Sequence, residues 1–186
     1  MKNSQQITAE ILALYAGPPG QESYGEGVTQ LDHALQCAKF ASDVTDDSET
    51  IIAALLHDIG HLCAPDADQM GEVGTEDHEG IGAAYLFELG FSQKVADLVG
   101  AHVSAKRYLV ATNAEYAARL SPASAETLRY QGGPMNAEEV AAFENDPLLQ
   151  DKLQMRSWDE MGKEVDFDVP PLESYQAMMI QILQGL

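Results

Sequence analysis

Five histidines, His33, His57, His61, His78 and His102, are the residues of this sequence best suited to chemistry. Two of them flank the run His57-Asp58-Ile59-Gly60-His61, in which an adjacent His-Asp pair ends a strongly apolar segment. A charged Asp58 in that position has to be paired or coordinated, because a bare buried carboxylate is costly. His102 falls on the stripe Val95, Leu98, Val99, His102, and His33 shares a helical face with Thr29, Cys37 and Phe40. Any one of these histidines could be a hydrogen-bonded core residue. Four of them on separate helices or helix edges, each facing inward, fit a metal site better. Helix bundles build dinuclear centres from imidazoles and carboxylates that converge from facing helices. Such donors suit iron, manganese, cobalt, zinc or nickel, and the donor list alone does not choose among them.

A second group of residues could handle an anion. Lys106 lies one helical turn after His102, in one of the few basic spots of the chain. Its plainer role is on a solvated helix face with carboxylates nearby. Ser124 and Thr127 share a helix face close to an N-terminus, where backbone N–H groups and hydroxyls favour an anion. As ordinary capping and surface hydroxyls they would need no ligand. Arg156 has Glu160 four residues on as a simple partner. Gln131, before Gly132-Gly133, could merely belong to a turn, and Cys63 reads as inert packing.

The elements that must position these groups are helical. The periodicity predicts helices over Ile7–Tyr15, Val28–Ala41, Asp46 to Leu56, Glu79–Leu89, Ser92–Val103 and 106–119. An acid followed three residues later by Glu49 resembles a capping box at the third of these. Residues 62–77, rich in Pro, Gly, Asp and Thr, read as a long functional loop. Ser121-Pro122 reads as an N-cap and N1 proline, Asn136 as another cap, and Pro147 as the opening of a helix reaching Met161. The last helix starts at Pro170-Pro171 and carries the stripe Leu172, Tyr175, Met179, Ile182. No segment alternates convincingly as a strand, so the expected fold is an all-α bundle.

With 186 residues and 45% apolar composition, one domain over 1–186 with one core is expected. Thirty acidic against ten basic side chains give a net charge of −20, which argues against nucleic acid and anionic membranes as partners. Two cysteines make no disulfide framework, and neither a signal-peptide pattern nor a long apolar run is present, so a cytoplasmic location is expected.

His33, the pair His57-Asp58 and a late Asp resemble the HD-domain superfamily of metal-dependent phosphohydrolases, and His78 and His102 match its two-metal subset. A finer likeness is carried by Tyr24-Gly25-Glu26, by Gln30 to Cys37, by His57 to His61, by His102 to Val110, by Leu128 to Met135 and by Arg156 to Glu160. These stretches are similar to the PhnZ-type oxygenases, mixed-valence diiron HD-domain enzymes that cleave the carbon–phosphorus bond of 1-hydroxy-2-aminoethylphosphonates.

The resemblance implies an HD-domain bundle with His33, His57, Asp58, His78, His102 and Asp159 as ligands to two irons in the Fe(II)/Fe(III) state, bridged by Asp58. It implies that His61, Lys106, Ser124 and Thr127 contact the phosphonate, with Gln131 and Arg156 close by. Asp58, His61 and Lys106 would be the catalytic side chains. Tyr24 and Glu26 would belong to a loop that closes the empty site, with Glu26 at the amine end of the substrate. The implied partners are a small organophosphonate and O₂, and the products are phosphate and glycine or glycine betaine. Rival readings are a dinuclear HD phosphohydrolase of nucleotides or phosphomonoesters, and a non-catalytic HD-like signalling module. The first lacks a clear base- or ribose-recognising element here, and the second usually loses ligands.

Overall fold

The computed structural model describes residues 2–23, 27–71 and 74–185. Tyr24 and Glu26, expected in the site-closing loop, lie outside the described residues. Among the described residues the chain is helix and loop, with a single isolated bridge between Gln69 and Thr75. The all-α expectation holds.

Helix α3 (Ser48–Leu56) is the spine. Every residue from Thr50 to Leu56 is buried, as suits a helix apolar on all sides. Its cap is Asp47, not a box formed by Asp46 and Glu49: Asp47 accepts from the Thr50 N–H and also pairs with Lys94 at 2.6 Å. The tertiary ion pair selects the neighbouring acid. On one side α3 packs against α2 (Gln30–Ser42), whose N-cap is Thr29, and on another against α6 (Gln93–Val99). Helices α8 (Ala114–Ala118), α9 (Pro122–Tyr130) and α10 (Ala137–Glu144) follow α7 (His102–Thr112) in the chain. Helix α11 (Leu149–Met161) lies against α2 and α7, and α5 (His78–Leu89) lies against α6 and the short α4 (Gly60–Cys63). Helices α1 (Ser4–Ala16) and α12 (Gln176–Leu183) pack against each other, and α12 also covers α3. Tyr15, fully buried on α1, donates to the carbonyl of Leu55, one of the acceptors that the end of α3 leaves unpaired.

Two boundaries differ from the periodicity in ways that matter to the site. The helix expected over Ser92–Val103 stops at Val99, and a turn at Gly100-Ala101 restarts the chain as α7, so His102 opens a helix instead of ending one. The segment expected as one helix over 106–119 continues α7 only to Thr112, where Asn113 caps a separate short helix, Ala114–Ala118. Continuous apolar periodicity conceals a change of axis direction that tertiary packing imposes.

Candidate metal centre and anion pocket

Four imidazoles meet between α2, α3, α5 and α7, and the helix ends orient each of them. The Nδ1 atom of His57 lies 2.9 Å from the carbonyl of Ala54, and that of His102 lies 3.0 Å from the carbonyl of Val99. His33 Nδ1 reaches the Gly162 carbonyl at 2.8 Å, and His78 Nδ1 the Thr75 carbonyl at 3.2 Å. A carbonyl only accepts, so each Nδ1 carries the proton. Three of these acceptors sit at the C-termini of α3, α6 and α11, where helices leave carbonyls without internal partners. Unpaired helix ends therefore fix the tautomers of the rings.

With Nδ1 protonated, each ring in its neutral form presents an Nε2 lone pair inward. His33 Nε2 and His57 Nε2 face each other at 3.1 Å, and His78 Nε2 and His102 Nε2 at 2.9 Å. Lone pairs at that distance repel unless a proton or a metal cation lies between or beside them. Asp58 stands between the two pairs. Its Oδ2 is 3.5 Å from both His33 and His57, while its Oδ1 is 3.5 Å from His78 and 3.4 Å from His102. Asp159 adds an oxygen 3.5 Å from His33 Nε2. The set can hold two metal ions, with Asp58 giving one oxygen to each side, and imidazole with carboxylate donors suits iron. Hydrogen-bonded Nδ1–H groups behind the ligating nitrogens are the usual outer support of such centres.

The electrostatics agree. Burial would raise the Asp58 carboxyl, but His57, His78, His102 and His61 around it hold it far below the usual carboxylate range. Burial lowers His57, and it lowers His102 to about 3, against the opposing pull of Asp58. His33 runs the other way: burial would lower it, but Cys37, Asp159 and Asp58 raise it well above the usual imidazole range, so a metal there has to displace a proton. Neutral imidazoles and charged carboxylates are the protonation states that metal binding requires. Cys37 also lies near, with His33 and His57, but burial pushes its thiol up and it donates to the Trp158 carbonyl at 3.4 Å. It packs behind His33 as a neutral thiol. Burial likewise raises Cys63, to about 11.

A cavity of about 600 Å³, measured with its open mouth, exposes this centre on one side. His61, Lys106, Ser124, Thr127, Gln131, Arg156 and Asp159 all line it, so the structure brings every described residue of the expected site to one place. Their bonding departs from the expectation in two respects. The N-terminus of the helix Pro122–Tyr130 does not offer a free N–H at Ser124, because the Ser121 hydroxyl accepts from it at 3.1 Å. Its hydroxyls are engaged as well: Thr127 Oγ1 accepts from Lys106 Nζ at 2.8 Å, and Ser124 Oγ from Arg156 at 3.3 Å. Lys106 is a buried cation at the cavity wall that can meet an anion, and burial lowers it to about 8.

Arg156 does more than pair with Glu160 at 2.9 Å. It bonds the Asp159 carboxylate and donates from Nε to the Tyr116 hydroxyl at 2.8 Å. Burial opposes its charge, but Asp159, Tyr116 and Glu160 keep it firmly cationic. In return Arg156, with His33, holds Asp159 well below the usual range despite burial.

Five further lining residues were not among the expected site residues: Val28, Gln30, Val103, Ala123 and Lys163. Lys163 follows Asp159 by four residues, a spacing that could have flagged it. Tyr116, which braces Arg156 from forty positions away, left no local signal.

Comparison with known proteins agrees with this architecture. The HD domain profile matches residues 31–142, a span that includes His33, His57, Asp58, His78 and His102 and stops before Asp159. A protein of Acanthamoeba polyphaga mimivirus is 41% identical over 186 residues, covering 97% of this chain and 85% of its own. The (1-hydroxy-2-(trimethylamino)ethyl)phosphonate dioxygenase (glycine-betaine-forming) of Leisingera caerulea is 45% identical over 163 residues, 86% of this chain and 82% of that protein. The hydroxymethylphosphonate dioxygenase of Gimesia maris is 40% identical over 167 residues, 89% and 83% of the two chains. On the matching profile and these relatives, the chain belongs to the HD-domain family and, within it, to the PhnZ-type oxygenases.

Proposed function

We propose that the protein is an O₂-dependent diiron oxygenase that cleaves the carbon–phosphorus bond of a 1-hydroxy-2-aminoethylphosphonate, with a primary or trimethylated amine. The observation that carries this reading is the cavity that sets Lys106, Thr127 and His61 beside two facing imidazole pairs divided by Asp58. The reaction consumes one O₂ per substrate: the C1 carbon is oxidised to a carboxylate, the carbon–phosphorus bond breaks, and phosphorus leaves as inorganic phosphate. Glycine or glycine betaine is the other product. His33, His57, Asp58, His78, His102 and Asp159 would hold two irons in the Fe(II)/Fe(III) state, which would supply the redox chemistry.

The chain's own residues bind and orient. Lys106 donates to a phosphonate oxygen, and its bond to Thr127 keeps the ammonium turned toward the cavity. His61 places a second donor on the same anion. Gln30 and Gln131 each carry a buried amide oxygen without a described partner at the cavity wall, where hydroxyl or N–H groups of the substrate can be accepted. Arg156 fixes Asp159 and does not reach out to the substrate, since its donors are engaged within the protein.

An assay of both 1-hydroxyphosphonates with iron quantified in the same preparation tests the reading. It expects O₂ uptake stoichiometric with phosphate release, and two irons per chain. Phosphate release that continues unchanged without O₂ would make the protein a hydrolase.

A further inference from the structure

His61 is wired the opposite way from the other four histidines. The backbone N–H of Thr75 donates to His61 Nδ1 at 2.9 Å, so that nitrogen is the acceptor and the ring proton of the neutral imidazole sits on Nε2. The carbonyl of the same residue accepts from His78 Nδ1 at 3.2 Å, which leaves the His78 lone pair on Nε2. The two rings are stacked, with centroids 4.0 Å apart and planes 20° from parallel. Thr75 therefore grips two neighbouring imidazoles, one through each side of its own backbone. It is itself fixed: Thr75 is 1% exposed, its hydroxyl accepts from Gln69, and the Gln69–Thr75 bridge closes the turn that carries it.

We infer that Thr75 is a positioning residue whose backbone N–H and C=O impose opposite tautomers on the stacked pair His61 and His78, making His61 an Nε2–H donor in the cavity and His78 an Nε2 donor to metal. Identical side chains, side by side, are thereby given different tasks: one ring ligates and its neighbour hydrogen-bonds an anion. Gly74 makes the grip possible. Its φ is +99°, and a Cβ there would lie 2.5 Å from His61 Cε1 and 2.8 Å from Nδ1, so only glycine lets the turn close onto the ring. The anion part of this inference rests on the proposed function; the tautomers do not.

Two measurements separate the parts. Long-range proton–nitrogen correlation spectra of ¹⁵N-histidine-labelled protein, loaded with zinc as a diamagnetic metal, should show His61 alone protonated at Nε2 among the five rings. His61 protonated at Nδ1 overturns the inference whatever reaction the enzyme catalyses. Substitution then tests the consequence, because a glutamine amide N–H can replace Nε2–H whereas that of asparagine reaches only the Nδ1 position. His61→Gln should bind inorganic phosphate and phosphonate within a few-fold of wild type. His61→Asn and Gly74→Ala should raise Kd for phosphate and KM for phosphonate by about tenfold to a hundredfold, the loss of one hydrogen bond to a charged group. Iron content should stay unchanged in His61→Asn. Equal Kd and KM for the Gln and Asn variants would overturn the assignment of His61 as an Nε2–H donor. Normal phosphate binding by the iron-loaded wild-type protein with no turnover of either phosphonate would count against the proposed reaction and leave the tautomer pair standing.

Discussion

Replacing Arg156 by methionine should destabilise the metal-free chain far more than the iron-loaded one. Arg156 is 3% exposed and Asp159 7%, so their pair is buried and the loss of one partner leaves an uncompensated charge inside. Breaking a buried pair in this way costs about 3–5 kcal/mol. The bond to Glu160 adds little, because that carboxylate is 37% exposed and screened by water. For a domain of 186 residues each kcal/mol shifts Tm by roughly 2–4 °C, which puts the expected loss at roughly 6–20 °C. Bound iron would neutralise Asp159 in place of the guanidinium, so the difference should narrow once metal is added. The pH dependence follows from the depressed Asp159 carboxyl. A carboxylate held below its unfolded pKa, about 3.9, contributes stability that is complete above that value and fades as pH falls through the folded one. The gap between wild type and Arg156→Met should therefore be full at neutral pH and close on acidification. Thermal melts with and without iron(II), under argon, at neutral and acidic pH, read all of this. The double variant Arg156→Met/Asp159→Asn should regain part of the stability. A metal-free Arg156→Met protein that melts within about 2 °C of wild type at neutral pH would refute the argument that Asp159 depends on this cation.

Asp58→Ala should lose at least one iron and all activity while the helical circular dichroism persists; two irons per chain in that variant would contradict a bridging role. Lys106→Ala should raise KM for phosphonate by about tenfold or more with a smaller change in kcat, as expected for a lost charge-assisted hydrogen bond. Because burial lowers the Lys106 ammonium to about 8, phosphate affinity should fall as pH rises through that value, and Lys106→Arg should abolish the fall, since arginine stays charged. Gly162→Ala would bring a Cβ within 2.7 Å of Cys37 Sγ and 3.1 Å of His33 Nδ1, and the resulting shift of His33 should weaken iron binding about 10–100-fold in a chelator competition.

The inward-facing histidines were legible in the sequence because helical periodicity assigns each residue a face, and His33, His57 and His102 fall on apolar faces. What periodicity could not carry was direction between helices. His102 belongs to the same apolar stripe as Val95 and Leu98, yet the chain turns at Gly100, and that turn lets its Nδ1 donate to Val99 at the end of α6. Asp159 is similar: its ligand role came from the family resemblance, while its support by Arg156 and Tyr116 rests on contacts between segments far apart in sequence. The expected anion site at the Ser124 helix end failed for a local reason, since a good N-cap consumes the N–H that an anion would need.

The charge balance of −20 now has a spatial meaning. Three of the ten basic side chains, Lys106, Arg156 and Lys163, converge on one cavity. Arg156 is bound to Asp159 and Glu160, and two of the thirty acids, Asp58 and Asp159, point at the metal positions. With cations bound there, both carboxylates are neutralised at short range, and the local field at Lys106 turns positive although the molecule as a whole is strongly negative. An anionic substrate would then be attracted more strongly by the metal-loaded protein. The metal-free protein leaves Asp58 and Asp159 to offset those cations and should bind an anion far more weakly, which makes iron a contributor to substrate binding as well as to chemistry.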